Sequence, residues 1–161
     1  MRARPIAAVD SLAGTWFGSR LPAAARERLE PYLTIVAYEA GTEILREGEP
    51  MHHLGIVLTG RVALRLRVPE RGPTTILTVE PGDVIGWSAV VPPHRASDTA
   101  VALLPTELLL IDAAALRAEL AADPELAAPV YLSLLEALAR RLTGTRLQLL
   151  DLFTMTASEP W

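Results

Sequence analysis

Apolar positions along the chain follow two periods. From Thr34 to Ile111 they come in short runs cut by turn residues, whereas before and after that stretch they recur every three or four positions. The runs at 35–38, 44–46, 54–58, 62–66, 75–79, 100–103 and 107–111 predict strands. Ala40-Gly41, Gly48-Glu49-Pro50, Thr59-Gly60, Arg71-Gly72-Pro73 and Pro81-Gly82-Asp83 predict the turns between them. No helical pattern separates the runs, which argues against a parallel sheet, because parallel neighbours need a long crossover. Many short strands in succession close on one another as a sandwich or barrel.

Helices are predicted on both sides. Over 21–33, Pro22 suits a first turn and Arg26, Leu29 and Leu33 recur at helical spacing. Asp112 is placed to cap a helix over 113–120, and Asp123-Pro124 supplies an N-cap and first position for a long one. Along that last helix Tyr131, Leu135, Leu138, Leu142, Thr145, Leu149 and Leu152 are spaced by alternating steps of four and three. This is a heptad seam, interrupted only by Thr145. Leu132, Leu134, Leu147 and Leu150 supply a second apolar face. One face can pack on the β-domain while the other pairs two chains, so a parallel homodimer is expected. The chain thus divides into an N-terminal segment 1–20, where Trp16 and Phe17 anchor a short helix or turn, a β-domain with its leading helix over 21–122, the long helix over 123–153, and a tail over 154–161.

Composition narrows the chemistry. At 161 residues one domain can bury a core unaided, and the absence of cysteine removes disulfides, thiol catalysis and thiolate-held clusters. Net charge is −4 and all 15 basic residues are arginine. The densest group, Arg61, Arg65 and Arg67, alternates as on the wet face of a strand, so no duplex-binding patch is expected. No apolar run approaches the ~20 residues that cross a bilayer, and the opening MRARPIAAVD breaks at Asp10, too soon for a secretory signal. A cytoplasmic location is expected.

Catalytic constellations are missing. A metal-binding cupin barrel needs His-x-His on one strand, since alternate residues share a face, but His52 and His53 are adjacent and His94 stands apart. As a haem ligand His94 is outweighed by its ordinary place in a loop after two prolines. Neither a Ser-His-Asp order, nor a P-loop, nor paired catalytic carboxylates emerges, so no enzyme is expected.

Gly41-x6-Gly48, Gly60-x-Val62, Pro81-Gly82-Asp83-Val84-Ile85-Gly86 and Ala139-Arg140-Arg141-Leu142 occur in an order and spacing that span about 21–152. In these the chain resembles the cyclic-nucleotide-binding module of bacterial regulators in the catabolite activator family. The resemblance implies a mainly β fold with flanking helices, a jelly-roll double-stranded β-helix followed by a long dimerisation helix. In such regulators a DNA-reading helix-turn-helix follows the long helix. After it this sequence has only Thr154 to Trp161, so no DNA binding by this chain alone is expected, and signalling through a separate protein partner is.

The resemblance also implies a phosphate cradle between two strands, made by a short helix and an arginine. Helix N-termini offer free N–H donors to an anion, and arginine forks onto phosphate. The implied pocket comprises Gly86, Trp87, Ser88, Ala89, Arg95, Ser97 and Thr99, with Thr145 on the long helix. No obligatory cofactor is legible; a cyclic nucleotide or another small anionic ligand is the implied occupant. Several positions depart from the family pattern. Trp87 replaces the glutamate that accepts from the ribose, Ala96 falls where the phosphate arginine belongs, and Asp98 replaces a small residue. Arg95 comes one position early, and one residue reverses side-chain direction on an extended segment. On the long helix Thr145 matches a Thr-Ser pair that touches the purine, but Arg146 replaces the serine. These changes point away from cyclic AMP held by the family's contacts. The cassette is similar to a variant in small bacterial proteins that read Gly-Trp-Ser-Ala, then Pro-Pro and an arginine. Two readings follow: a sensor for a different small ligand, or a degenerate sensor serving as a dimeric interaction scaffold.

Overall fold

The computed structural model describes residues 3–4 and 8–156, with side chains from 8 to 151. Nine strands form two antiparallel sheets among these residues. The first sheet runs β1 (Ala3–Arg4), β2 (Leu33–Tyr38), β9 (Thr106–Asp112), β4 (His53–Thr59) and β7 (Val84–Ile85). The second runs β3 (Glu43–Leu45), β8 (Thr99–Ala102), β5 (Val62–Val68) and β6 (Gly72–Val79).

Alternation along β4 and β9 explains why their sequences read as unbroken apolar runs. Leu54 and Ile56, with Leu109 and Ile111, face the helices, whereas Val57 and Leu108 face the second sheet. Both faces of the first sheet are therefore covered, and polar residues have no wet side to occupy. Between the sheets Val57, Leu108 and Ile85 pack on Val62, Leu64, Val79 and Ala100.

The helices close the other face. α1 (Ala8–Gly14), α2 (Trp16–Ser19) and α3 (Ala23–Leu29) precede the roll, and α4 (Ala113–Ala122) and α5 (Pro124–Thr156) follow it. Leu12, Phe17 and Leu29 are fully buried in the same core as Leu116, Leu126, Val130 and Leu134. Thr15 caps α2 by accepting from the Gly18 N–H, and Asp112 caps α4 by accepting from Ala115. The helix predicted over 21–33 is shorter. It ends at Leu29 and tightens into a 3-10 turn, Glu30–Tyr32, because Pro31 has no N–H to continue it; Leu33 already pairs with Ile111 in β2.

α5 lays Leu126, Ala127, Val130, Leu134, Ala137 and Leu138 on the core. Its outer side carries Tyr131, Leu132, Leu135, Leu142, Leu147, Leu149 and Leu150, all exposed. No helix among the described residues is long and apolar enough to cross a membrane.

Candidate functional site

β7 leads into the segment where the sequence places a cradle. It pairs with β4 through Gly55↔Ile85 and Ile56↔Val84, then the chain turns at Gly86 with φ +69°. A Cβ there would lie 2.5 Å from Met51 Cε and 3.1 Å from the His53 carbonyl, so both conformation and space call for glycine. One 3-10 turn follows, Trp87–Ala89, closed by Ala89 N–H to Gly86 O and Val90 N–H to Trp87 O. Arg117 of α4 braces it from outside, donating to the Ala89 carbonyl at 2.6 Å.

Beyond the turn the chain returns to the roll. Arg95 bridges Pro50 and donates its side chain to the Gly48 carbonyl at 2.8 Å, in an exposed position. Ala96 points the other way and is buried, its N–H bonded to Glu49 O and its carbonyl to Gly48 N–H. Residue 96 therefore faces the interior and residue 95 does not.

The eight residues named from the sequence do not converge on one cavity. Of the turn, Trp87 borders a cavity of about 150 Å³ against α5. Ser88 is 2% exposed, and its hydroxyl has no hydrogen-bond partner among the described residues. Ala89 is fully buried. Ser97 is exposed and donates to Asp98 Oδ2 at 3.1 Å. Thr99 accepts from the Glu47 N–H and borders an outer groove with Arg65 and Arg67. Thr145 bonds back to the Arg141 carbonyl at 2.9 Å, beside a groove along β6.

Sequence reasoning assigned no role to Arg141, yet this side chain reaches from α5 to donate to the Val84 carbonyl. It borders the 150 Å³ cavity together with Asp83, Arg140, Trp87, Leu134 and Leu138. Burial pushes its guanidinium down from the usual range, partly offset by Asp98 and Asp83. Burial likewise pushes the Asp98 carboxyl up; Ser97 and Arg141 oppose the shift and Glu47 adds to it. A signal was legible for Arg141: continuing the Val130, Leu134, Ala137 spacing carries this face to position 141.

Trp87, Asp83, Arg140 and Arg141 border this cavity beside an apolar wall of Leu134, Ala137 and Leu138, with Arg141 already bonded to the Val84 carbonyl. No group of three or more His, Asp or Glu placed to hold a metal occurs among the described residues.

Comparison with known proteins decides the family. A model of the cyclic nucleotide-binding domain matches residues 35–123, more than half of the chain. The chain belongs to the cyclic nucleotide-binding domain family. It is 30% identical over 130 residues to the CRP-like cAMP-activated global transcriptional regulator of Mycobacterium tuberculosis, covering 81% of this chain and 54% of that protein. The chain thus spans about half the length of the curated relatives it matches. Among solved structures it is similar to a cyclic nucleotide-binding domain from Methylobacillus flagellatus, with 29% identity and a TM-score of 0.73 over 81% of this chain and 74% of that one. It is also similar to the N-terminal domain of a transcriptional regulator from Streptomyces coelicolor, with 27% identity and a TM-score of 0.63 over 87% and 95% of the two chains. The β-roll with its long C-terminal helix is the fold of this family, as the sequence resemblance implied.

Proposed function

We propose that this chain is a ligand-sensing regulatory module whose cassette is altered so that it does not hold cyclic AMP by the family's contacts. The observation that carries this reading is the direction of two neighbours: Ala96 faces the interior where the phosphate arginine belongs, and Arg95 is spent outside on Gly48. A buried anion needs paired donors, and neither residue offers one there. Trp87 occupies the acceptor position and takes up space toward α5. The cavity that Trp87 borders, about 150 Å³, is smaller than the roughly 300 Å³ at the lower end of ordinary ligand pockets, so that cavity by itself would take a ligand smaller than a nucleotide. Open grooves of about 580 and 440 Å³ beside Thr99 and Thr145 are larger.

The module signals through α5. Tyr131, Leu135, Leu142 and Leu149 form one exposed apolar stripe, with leucines 63%, 52% and 51% exposed. Such a stripe is an interaction surface, and its heptad spacing fits a second copy of the same helix. Leu138 and Thr145 of the same seam are half-buried toward the roll, and the side chain of Leu152 lies outside the described residues. A net charge of −4, with Arg46, Arg65 and Arg67 interleaved with Glu43 and Glu47 along one groove, favours a protein partner over nucleic acid as the receiver.

The small cavity also supports a second reading, a ligand-free dimeric scaffold. A thermal melt against a panel of small metabolites separates the two. A true ligand at 100 times its dissociation constant adds about 2.7 kcal/mol, whereas a scaffold shows no ligand-dependent shift.

A further inference from the structure

β5 outruns one of its neighbours. β8 pairs with it from Val62↔Ala102 to Arg65↔Thr99, so among the described residues Leu66 to Val68 have a strand partner on the β6 side alone. An open strand edge leaves backbone groups without a ladder. Here the Arg67 N–H donates to the Glu47 side chain at 3.3 Å, and the Glu47 N–H donates to Thr99 Oγ1 at 3.0 Å, at the start of β8. A carboxylate thus fills the place of an acceptor that a further strand would supply.

The edge borders a groove of about 580 Å³. Val62, Leu64 and Ala100 face the interior, so Arg65, Thr99 and Val101 face outward into this groove. Arg65 and Arg67 stand two apart on β5 and both border it. Among the described residues neither guanidinium has a hydrogen bond or ion pair, whereas Arg46 beside them is paired with Glu43 at 2.7 Å. Val101 and Pro73 add an apolar wall, and no residue of α5 takes part.

Resting on the reading that a protein receives the signal, we propose that this groove docks an extended acidic segment of that partner, with carboxylates two residues apart on Arg65 and Arg67. Residues two apart on an extended chain lie roughly 6.5 Å apart on one face, so Glu-x-Glu on the partner matches Arg-x-Arg on β5. Arginine forks onto a carboxylate, and main-chain pairing to an exposed strand edge is a recurrent mode of peptide recognition. The partner's backbone takes over the Arg67 N–H from Glu47. Glu43 and Glu47, together with the net charge of −4, disfavour a long run of phosphates in the same place. Because α5 lies outside the groove, this docking leaves the α5 stripe free for a second copy.

Fluorescence anisotropy of the full chain with the labelled peptide Thr-Thr-Glu-Thr-Glu-Thr-Thr tests the proposal. Arg65→Glu with Arg67→Glu should weaken binding about ten-fold or more, since two attractive pairs become repulsive. Arg65→Gln with Arg67→Gln, gentler on the fold, should weaken it by a smaller factor. Glu47→Ala removes a like charge and should tighten it about two-fold. The peptide Thr-Thr-Glu-Glu-Thr-Thr-Thr, of the same composition, should bind more weakly, because adjacent side chains point to opposite faces. Equal binding of the two peptides, affinity indifferent to Arg65 and Arg67, or a wild-type dissociation constant weaker than about 1 mM overturns the proposal. A single-stranded oligothymidylate separates this failure from that of the partner reading. If it binds more tightly than the peptide and the charge reversals abolish its binding, the receiver is a nucleic acid and both fail. If neither probe binds, the groove proposal alone fails and a protein receiver on α5 stands.

Discussion

The guanidinium of Arg140 lies 3.7 Å from the centre of the Trp16 ring, joining α5 to the short α2 helix. Arg20 approaches the same ring at 5.0 Å and pairs with Glu136, one helical turn before Arg140. Arg140 also borders the cavity, so α2 and the cleft share one side chain. Replacing Trp16 by Leu keeps apolar bulk and removes the ring. It should lower stability by about 0.5–2 kcal/mol, the range of a cation–π contact. Denaturant midpoints of Trp16→Leu, Arg140→Ala and the double variant check this, because coupled residues give less than the sum of their single losses.

Gly86→Ala should destabilise the roll by about 1–3 kcal/mol, since φ +69° is strained for alanine and the new methyl meets Met51 and the His53 carbonyl. Met51 can bend its end away; the carbonyl cannot. A companion Met51→Ala should therefore recover only part of the loss in a chemical unfolding series.

Asp98 sets a pH dependence whose sign follows from its raised carboxyl. The folded protein holds this proton more tightly than the unfolded chain, whose value is 3.8. The cost of ionised Asp98 is thus fully present above the folded value and fades as pH falls toward 3.8. Asp98→Asn should unfold at a higher temperature than wild type at pH 7, and the difference should shrink on acidification. Ser97, Arg141 and Glu47 act on the group, the first two opposing the shift and Glu47 adding to it.

Much of this was legible in the chain. The apolar runs at 54–58 and 107–111 read as buried strands because both faces of β4 and β9 are covered. β7 was not legible, since a two-residue strand has no period to read. Leu33 fits the helical spacing of α3 and the pairing of β2 equally well, and Pro31 decides between them. The opposite directions of Arg95 and Ala96 followed from strand parity alone. The inward reach of Arg141 did not, because a charged side chain on an apolar helical face also reads as one that curls out to water.

Leu142→Arg places a charge in the middle of the exposed stripe of α5. Sedimentation should show wild type as a dimer and the variant as a monomer of unchanged circular dichroism. A wild type that sediments as a monomer would show that the α5 stripe does not pair two chains.

The most direct test of the altered cassette is calorimetric titration of cyclic AMP into wild type and into Trp87→Glu with Ala96→Arg. No sub-micromolar binding to wild type is expected, because residue 96 faces inward without a donor, and binding should be gained when the acceptor and the arginine are restored. Sub-micromolar binding to wild type would contradict it, and would assign to Arg95 the phosphate contact that its bond to Gly48 denies.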